Sequence, residues 1–66
     1  MSNMKNRRKA ANLTQRELAE RSGVNRRIIE QYEQGIRDIN KAEAMTVHLL
    51  AAALECDMRD IMEFEA

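Results

Sequence analysis

Proline and tryptophan are absent from the sequence, and cysteine and histidine occur once each. The lone thiol, Cys56, excludes a disulfide within the chain, and no second thiol is present to build a zinc site. One histidine, one cysteine and no glycine-rich phosphate loop do not make a catalytic set. We therefore predict that the protein is not an enzyme and that it holds neither a cofactor nor a metal.

Long apolar segments are missing as well. The longest strongly apolar run, residues 45–54, is too short to cross a bilayer and contains His48. The basic residues at positions 5–9 are followed by no apolar stretch, so no signal peptide is visible. The length of 66 residues suits one small domain, predicted to span 1–66. Together these features predict a soluble cytoplasmic protein with no membrane partner.

The formal net charge is zero, but the two halves of the chain carry opposite charge. Residues 1–37 hold nine Lys and Arg against four Glu, a formal charge of +5. Residues 38–66 hold two basic residues against seven acidic ones, a formal charge of −5. This separation predicts an anionic partner for the first half. The acidic residues near the end, Glu63 and Glu65, are interpreted as a solvated tail.

Residues of high helix propensity dominate and β-branched residues are few, so we predict an all-α fold of five short helices. The first helix ends near Asn12, a residue that tolerates the left-handed conformation. The fourth and longest is predicted over residues 41–55. The cap residues expected for the first, fourth and fifth helices are Ser2 or Asn3, Asn40 and Asp57. The residues expected to face inward from the fourth helix are Ala44, Val47, Leu50, Ala51 and Leu54.

Helices 2 and 3 are predicted on either side of the short turn "SGVN". Thr14 and Glu17 have the spacing of a capping box, in which each side chain bonds the backbone amide of the other. Gly23 supplies the positive φ needed at the end of helix 2, and Asn25 caps helix 3 at about residue 26. Gly35 ends helix 3. The sequence therefore predicts two helices that are separated by a tight turn.

Two helices joined in this way, at about residues 14–35, are the pattern of a helix-turn-helix. Ala19 is small enough for a steep crossing, and Val24, Ile29 and Tyr32 supply the inner anchors. The outward positions of helix 3 are Arg26, Arg27, Glu30 and Gln31. Arginine suits guanine O6 and N7, and glutamine suits adenine N6 and N7. These side chains are therefore predicted to read base edges of double-stranded DNA in the major groove, with a recognition helix at about 26–34.

From about residue 4 to residue 62 the sequence resembles the phage-repressor/Cro-like helix-turn-helix family, also called the xenobiotic-response-element type. The matching stretches are Arg8, "LTQRELAERSGV" at 13–24, "IIEQYEQGIR" at 28–37 and "LLAAALECDMRDIM" at 49–62. The resemblance implies a compact five-helix, lambda-repressor-like fold. It implies base reading by Arg26, Arg27 and Gln31. The residues it implies for contacts with the DNA backbone are Thr14, Gln15, Gln34 and Arg37. It also implies a structural ion pair between Arg8 and Glu33.

The leading hypothesis is a transcriptional repressor that binds operator DNA as a dimer. One recognition helix reads few base pairs, and a two-fold dimer places two of them in successive major grooves. The homodimer contact is expected in the acidic, apolar-rich C-terminal half, which keeps negative charge away from the phosphates. The alternative is a protein-interaction module, such as the antitoxin half of a toxin–antitoxin pair, with a protein partner.

Four further side chains are given structural interpretations. His48 is expected to be partly buried or to lie at an interface, and Cys56 is expected to behave as a small buried hydrophobic residue. Met58 and Met62 are interpreted as core residues, with a dimer contact as the alternative.

Overall fold

The structure, a computed structural model, describes residues 2–64, which form four α-helices and two 3-10 turns. The helices are α1 (Asn3–Ala10), α2 (Gln15–Ser22), α3 (Arg26–Gln34) and α4 (Ala44–Ala53). The 3-10 turns are Ile39–Lys41, before α4, and Met58–Asp60, after it. No strand occurs within 2–64, so the all-α prediction is confirmed. The count of five helices is wrong, because the segment expected to form the fifth makes one 3-10 turn only.

Helix α1 begins and ends where the cap residues predict. The Ser2 hydroxyl accepts a hydrogen bond from the Lys5 amide at 3.1 Å, which satisfies one of the free N–H groups of the first turn. Asn12 has a φ of 62°, in the left-handed region. The chain therefore turns sharply at Asn12 and brings Leu13, 7% exposed, into the core.

The capping box of α2 is present. The Thr14 hydroxyl accepts from the Glu17 amide at 3.1 Å, and the Glu17 carboxylate accepts from the Thr14 amide at 2.9 Å. At the other end of α2, Gly23 has a φ of 75° and its amide donates to Ala19 O at 2.9 Å. Local sequence thus determines both ends of this helix.

The capping box should make stability depend on acid pH. The hydrogen bonds from the Thr14 amide and hydroxyl hold the pKa of Glu17 below its ordinary value. A carboxyl group whose pKa is lowered by folding stabilises the fold above its unfolded pKa, and this contribution is lost as the pH falls through the folded pKa. In Glu17→Gln the amide keeps the cap but does not titrate. Thermal unfolding should therefore show wild type more stable near neutral pH, with the difference shrinking as the pH falls through and below the ordinary range of a carboxyl group. A difference that is constant with pH would contradict this.

The start of α4 differs from its prediction. Asn40 does not cap a helix that begins at residue 41; it lies in the first 3-10 turn, where its amide donates to Asp38 Oδ1 at 2.9 Å. The side chain of Asn40 bonds the backbone of Glu63 instead, donating to its carbonyl and accepting from its amide, the latter at 2.8 Å. Helix α4 begins at Ala44, which is exposed rather than inward.

Hydrogen bonds attach the C-terminal segment to the start of α1. The Glu63 carboxylate accepts from the Asn3 amide at 2.7 Å, and the Asn3 side-chain amide donates to Met62 O at 2.8 Å. The interpretation of Glu63 as part of a solvated tail is therefore wrong; Glu65 lies outside the described residues. These long-range bonds, with Ile61 fully buried, direct the chain after Asp60 back to α1 and leave room for one 3-10 turn only.

The core draws on every α-helix. Its fully buried large side chains are Met4, Leu18, Ile29, Leu50 and Ile61. Ile29 and Leu50 were predicted to face inward, and both do. Burial of one such side chain stabilises the fold by about 1.5–3 kcal/mol. No helix of the described range is long and apolar enough to cross a membrane.

Of the four side chains that were expected to be structural, Cys56, Met58 and Met62 contact the core, and His48 lies at the surface. Cys56 is half-buried against the core, and burial raises the pKa of its thiol. Met58 and Met62 are partly buried and pack against the core, as the core interpretation expects. His48 is exposed rather than partly buried.

Candidate nucleic-acid interface

Helices α2 and α3 are separated by three residues, Gly23 to Asn25, and do not form one continuous rod. The Asn25 side chain accepts from the Arg27 amide at 2.8 Å and so starts α3. Leu18 on α2 and Ile29 on α3 are fully buried, with Ala19 half-buried beside them. The tight turn and these two anchors fix α3 against α2 with its other face toward solvent.

The outer face of α3 carries the four side chains predicted to read bases. Arg26 and Arg27, in the first turn, are exposed; Glu30 and Gln31, one turn further on, are half-buried. Neither arginine has an ion-pair partner in the part of the chain that the structure describes, and the first turn contains no acidic residue. The positive end of the helix dipole makes this position unfavourable for two cations. An anion near this end would relieve the repulsion.

A buried ion pair connects α1 to α3. Arg8 Nε and Nη2 donate to the two oxygens of Glu33 at 2.7 and 3.0 Å, a bidentate arrangement. The Glu33 side chain is 2% exposed and that of Arg8 is 11% exposed. Arg8 Nη1 also donates to Leu13 O at 2.8 Å, and the hydrogen bond with Glu33 raises the pKa of Arg8. The pair thus fixes the C-terminal half of α3 relative to α1 and its following turn.

Gln15 attaches α2 to the same carboxylate. Its Nε2 atom donates to Glu33 Oε1 at 3.1 Å, so Glu33 receives hydrogen bonds from two helices. The amide nitrogen has a second N–H, which leaves one donor for another acceptor. Thr14, exposed beside it, uses its oxygen to accept from the Glu17 amide and keeps its own O–H as a donor. Both residues lie at the N-terminus of α2, where the partial positive charge favours an anion.

The chain reversal at the end of α3 brings Arg37 into contact with Gln31, two residues for which the sequence predicted different roles. Gly35 has a φ of 78° and ends the helix, and the Gln31 carbonyl accepts from the amides of Ile36 and Arg37 at 2.9 and 3.2 Å. Arg37 Nε also donates to Gln31 Oε1 at 2.5 Å. Gln34, in the same turn, is exposed. Arg37, predicted to contact the DNA backbone, thus touches a residue predicted to read bases.

Two features were not identified from sequence. The hydrogen bond between Gln31 and Arg37 joins residues six positions apart and depends on the reversal of the chain at Gly35. A glycine at a helix end predicts that the helix stops there, but it does not predict where the following side chains lie. Ile36, beside Arg37, is 68% exposed at the same end of α3 and was given no role. In residues 2–64, no group of three or more His, Cys, Asp or Glu side chains could hold a metal ion.

Comparison with known proteins gives one match. A family model described as helix-turn-helix matches residues 4–61, which include α2, α3, α4, both 3-10 turns and all of α1 except Asn3. No significant match is found among curated proteins or among solved structures.

Proposed function

The chain belongs to the helix-turn-helix family of lambda-repressor-like, DNA-binding transcription regulators, and from this premise we propose that it is a sequence-specific repressor that binds operator DNA as a homodimer. The observation that carries the proposal is the exposed pair Arg26 and Arg27 at the start of α3. These cations lie at the unfavourable end of a helix dipole, in a first turn that contains no acidic residue, a local cost that contact with DNA would offset.

The N-terminal side chains of α3 read the bases in this proposal. The DNA major groove, about 12 Å wide, admits an α-helix. Arg26 and Arg27 donate to guanine O6 and N7, and Glu30 accepts from cytosine N4. Each good bidentate contact contributes about 1–3 kcal/mol of discrimination against the wrong base.

The DNA backbone is contacted from both sides of the recognition helix. Thr14 and Gln15 present free donors at the N-terminus of α2, and the exposed Gln34 lies at the end of α3. Phosphate contacts position the protein without reading sequence, and they release counterions. Because the basic residues are concentrated in positions 1–37, affinity should fall steeply as salt rises.

The dimer contact is proposed on the exposed face of α4. Met45 and Leu49 are 63% and 38% exposed, and His48 and Ala52 are exposed beside them, at the spacing of one helix face. Helix α4, Ala44–Ala53, contains no Asp, Glu, Lys or Arg. A two-fold contact can place residues near their own copies, so a face without Asp, Glu, Lys or Arg can meet itself without like-charge repulsion from those side chains.

Replacing Leu49 with glutamate should weaken the dimer about tenfold or more, because a carboxylate would be desolvated opposite its own copy. The fold should survive, since Leu49 already contacts solvent. Sedimentation over a range of concentrations measures the effect, and Asn6→Glu, at an exposed position of α1, is the matched control. A wild-type protein that remains monomeric at every concentration would contradict the homodimer. That result would instead favour the alternative, in which the exposed face of α4 binds a different protein.

The DNA-binding proposal is tested by selecting bound duplexes from random DNA. The expected result is a palindrome whose half-sites are centred about 34 Å apart, one turn of the duplex. Binding should weaken linearly on a plot of log affinity against log salt concentration. If the protein bound duplexes of every sequence with equal affinity, the proposal of a sequence-specific regulator would be contradicted.

A further inference from the structure

The hydrogen bond between Arg37 and Gln31 has a defined polarity. A guanidinium group has donors only, whereas a carboxamide has one acceptor atom and one donor atom. Arg37 Nε at 2.5 Å must therefore face Oε1 of Gln31, and the Nε2 group must point away from Arg37. The orientation of the Gln31 amide follows from the chemistry of its partner.

The helix end holds Arg37 in the position that makes this bond. Gly35 adopts a φ of 78°, and the Arg37 amide bonds the carbonyl of Gln31 at 3.2 Å. Arg37 is thus attached to Gln31 through main chain and side chain together. These two bonds hold the Arg37 side chain beside the side-chain amide of Gln31, a position that a freely mobile loop after α3 would not maintain.

The polarity decides what Gln31 offers to a base. A bidentate contact with adenine requires Oε1 to accept from N6 and Nε2 to donate to N7. In this structure Oε1 already accepts a charge-assisted hydrogen bond, which is about twice as strong as a neutral one, so adenine N6 would have to share Oε1 with Arg37. The N–H donors of Nε2 stay free, and the base atoms that accept from them are guanine O6 and N7, adenine N7 and thymine O4. Guanine alone offers two such acceptors, so donors favour guanine.

Resting on the proposed function, we infer that Arg37 is a positioning residue for base recognition, which fixes Gln31 so that it presents donors and favours guanine over adenine. This role differs from a phosphate contact at Arg37. A phosphate contact changes affinity for all sequences alike, whereas a positioning role changes the preference at a single base pair.

The experiment compares site selection from random duplexes by wild type, Arg37→Ala, Gln31→Ala and the double variant. In Arg37→Ala the released amide should turn, and the preference at the base pair read by Gln31 should shift toward adenine. The shift should be about fivefold or more, the effect of about 1 kcal/mol that one bidentate contact supplies. In the Gln31→Ala background, Arg37→Ala should have no further effect at that base pair, since the residue it orients is gone.

The free protein gives a second readout. The side-chain amide signals of Gln31, identified by their loss in Gln31→Ala, should move in Arg37→Ala. They should stay in place in Arg59→Ala, which removes an exposed arginine from the C-terminal segment. Thermal unfolding of each variant separates these effects from a change in fold.

Three results would overturn the inference. The first is a uniform loss of affinity in Arg37→Ala with a salt slope reduced by about one, which indicates a phosphate contact. The second is an unchanged preference at every base pair, and the third is an unchanged Gln31 amide signal. Failure of the proposed function has a different signature, because the wild-type protein itself would then select no site.

Discussion

Replacing Arg8 with alanine should lower the free energy of unfolding by about 3–5 kcal/mol. The variant leaves the Glu33 carboxylate, 2% exposed, without the guanidinium that donates two hydrogen bonds to it. It also removes the donor to Leu13 O. A chain of this length has a total stability on the order of 3–10 kcal/mol, so Arg8→Ala should lose roughly a third of it or more.

Chemical denaturation followed by circular dichroism measures this loss. Arg7→Ala is the matched control, because the neighbouring arginine is half-exposed and pairs with Asp60 only at 3.5 Å. An exposed pair of that kind contributes about 1 kcal/mol or less. Equal stability of the Arg7 and Arg8 variants would show that the buried pair has no special role.

A double variant separates the charge from the packing. Replacing Arg8 and Glu33 together with methionine removes both charges and should recover most of the loss, because buried ion pairs are often replaced by apolar residues at little cost. If the double variant were as unstable as Arg8→Ala, packing and the bonds to Leu13 O and Gln15 would account for the effect instead.

Replacing Arg26 and Arg27 together with alanine should remove most operator discrimination. Two bidentate base contacts of about 1–3 kcal/mol each correspond to a loss of roughly 30-fold to more than 10⁴-fold in operator affinity. Because both arginines are exposed and lie at the positive end of α3, their removal should leave the fold intact and raise its stability slightly. Loss of binding with a gain in stability is the signature expected of residues kept for function.

Titration of the selected operator and of an unrelated duplex, at several salt concentrations, measures this result. Lys9→Ala with Arg21→Ala removes the same charge from exposed positions of α1 and α2. The control should lose only the general electrostatic attraction, equally for both duplexes. If the Arg26 and Arg27 variant still prefers its operator, the reading face has been assigned wrongly.

The sequence by itself determined the helix-turn-helix and its caps. The contacts that set these boundaries join residues two to four positions apart, as in the bonds of Thr14 with Glu17 and of Asn25 with Arg27. Glycine at positions 23 and 35 likewise acts through its own φ. Such interactions depend on residue type and spacing, which are readable without a fold. The outward placement of Arg26 and Arg27 follows from the period of α3.

Only the tertiary structure decided the features whose partners are distant in sequence. Asparagine is a residue type that commonly caps helices, yet the side chain of Asn40 bonds Glu63, 23 residues later. Helix α4 begins at Ala44 instead. Glu63 reaches Asn3 across 60 residues, which leaves one 3-10 turn where a fifth helix was predicted. The orientation of Gln31 depends on where the chain returns after Gly35. Local propensity ranks the conformations open to each segment, but competition for the same donors and acceptors is settled when distant segments meet.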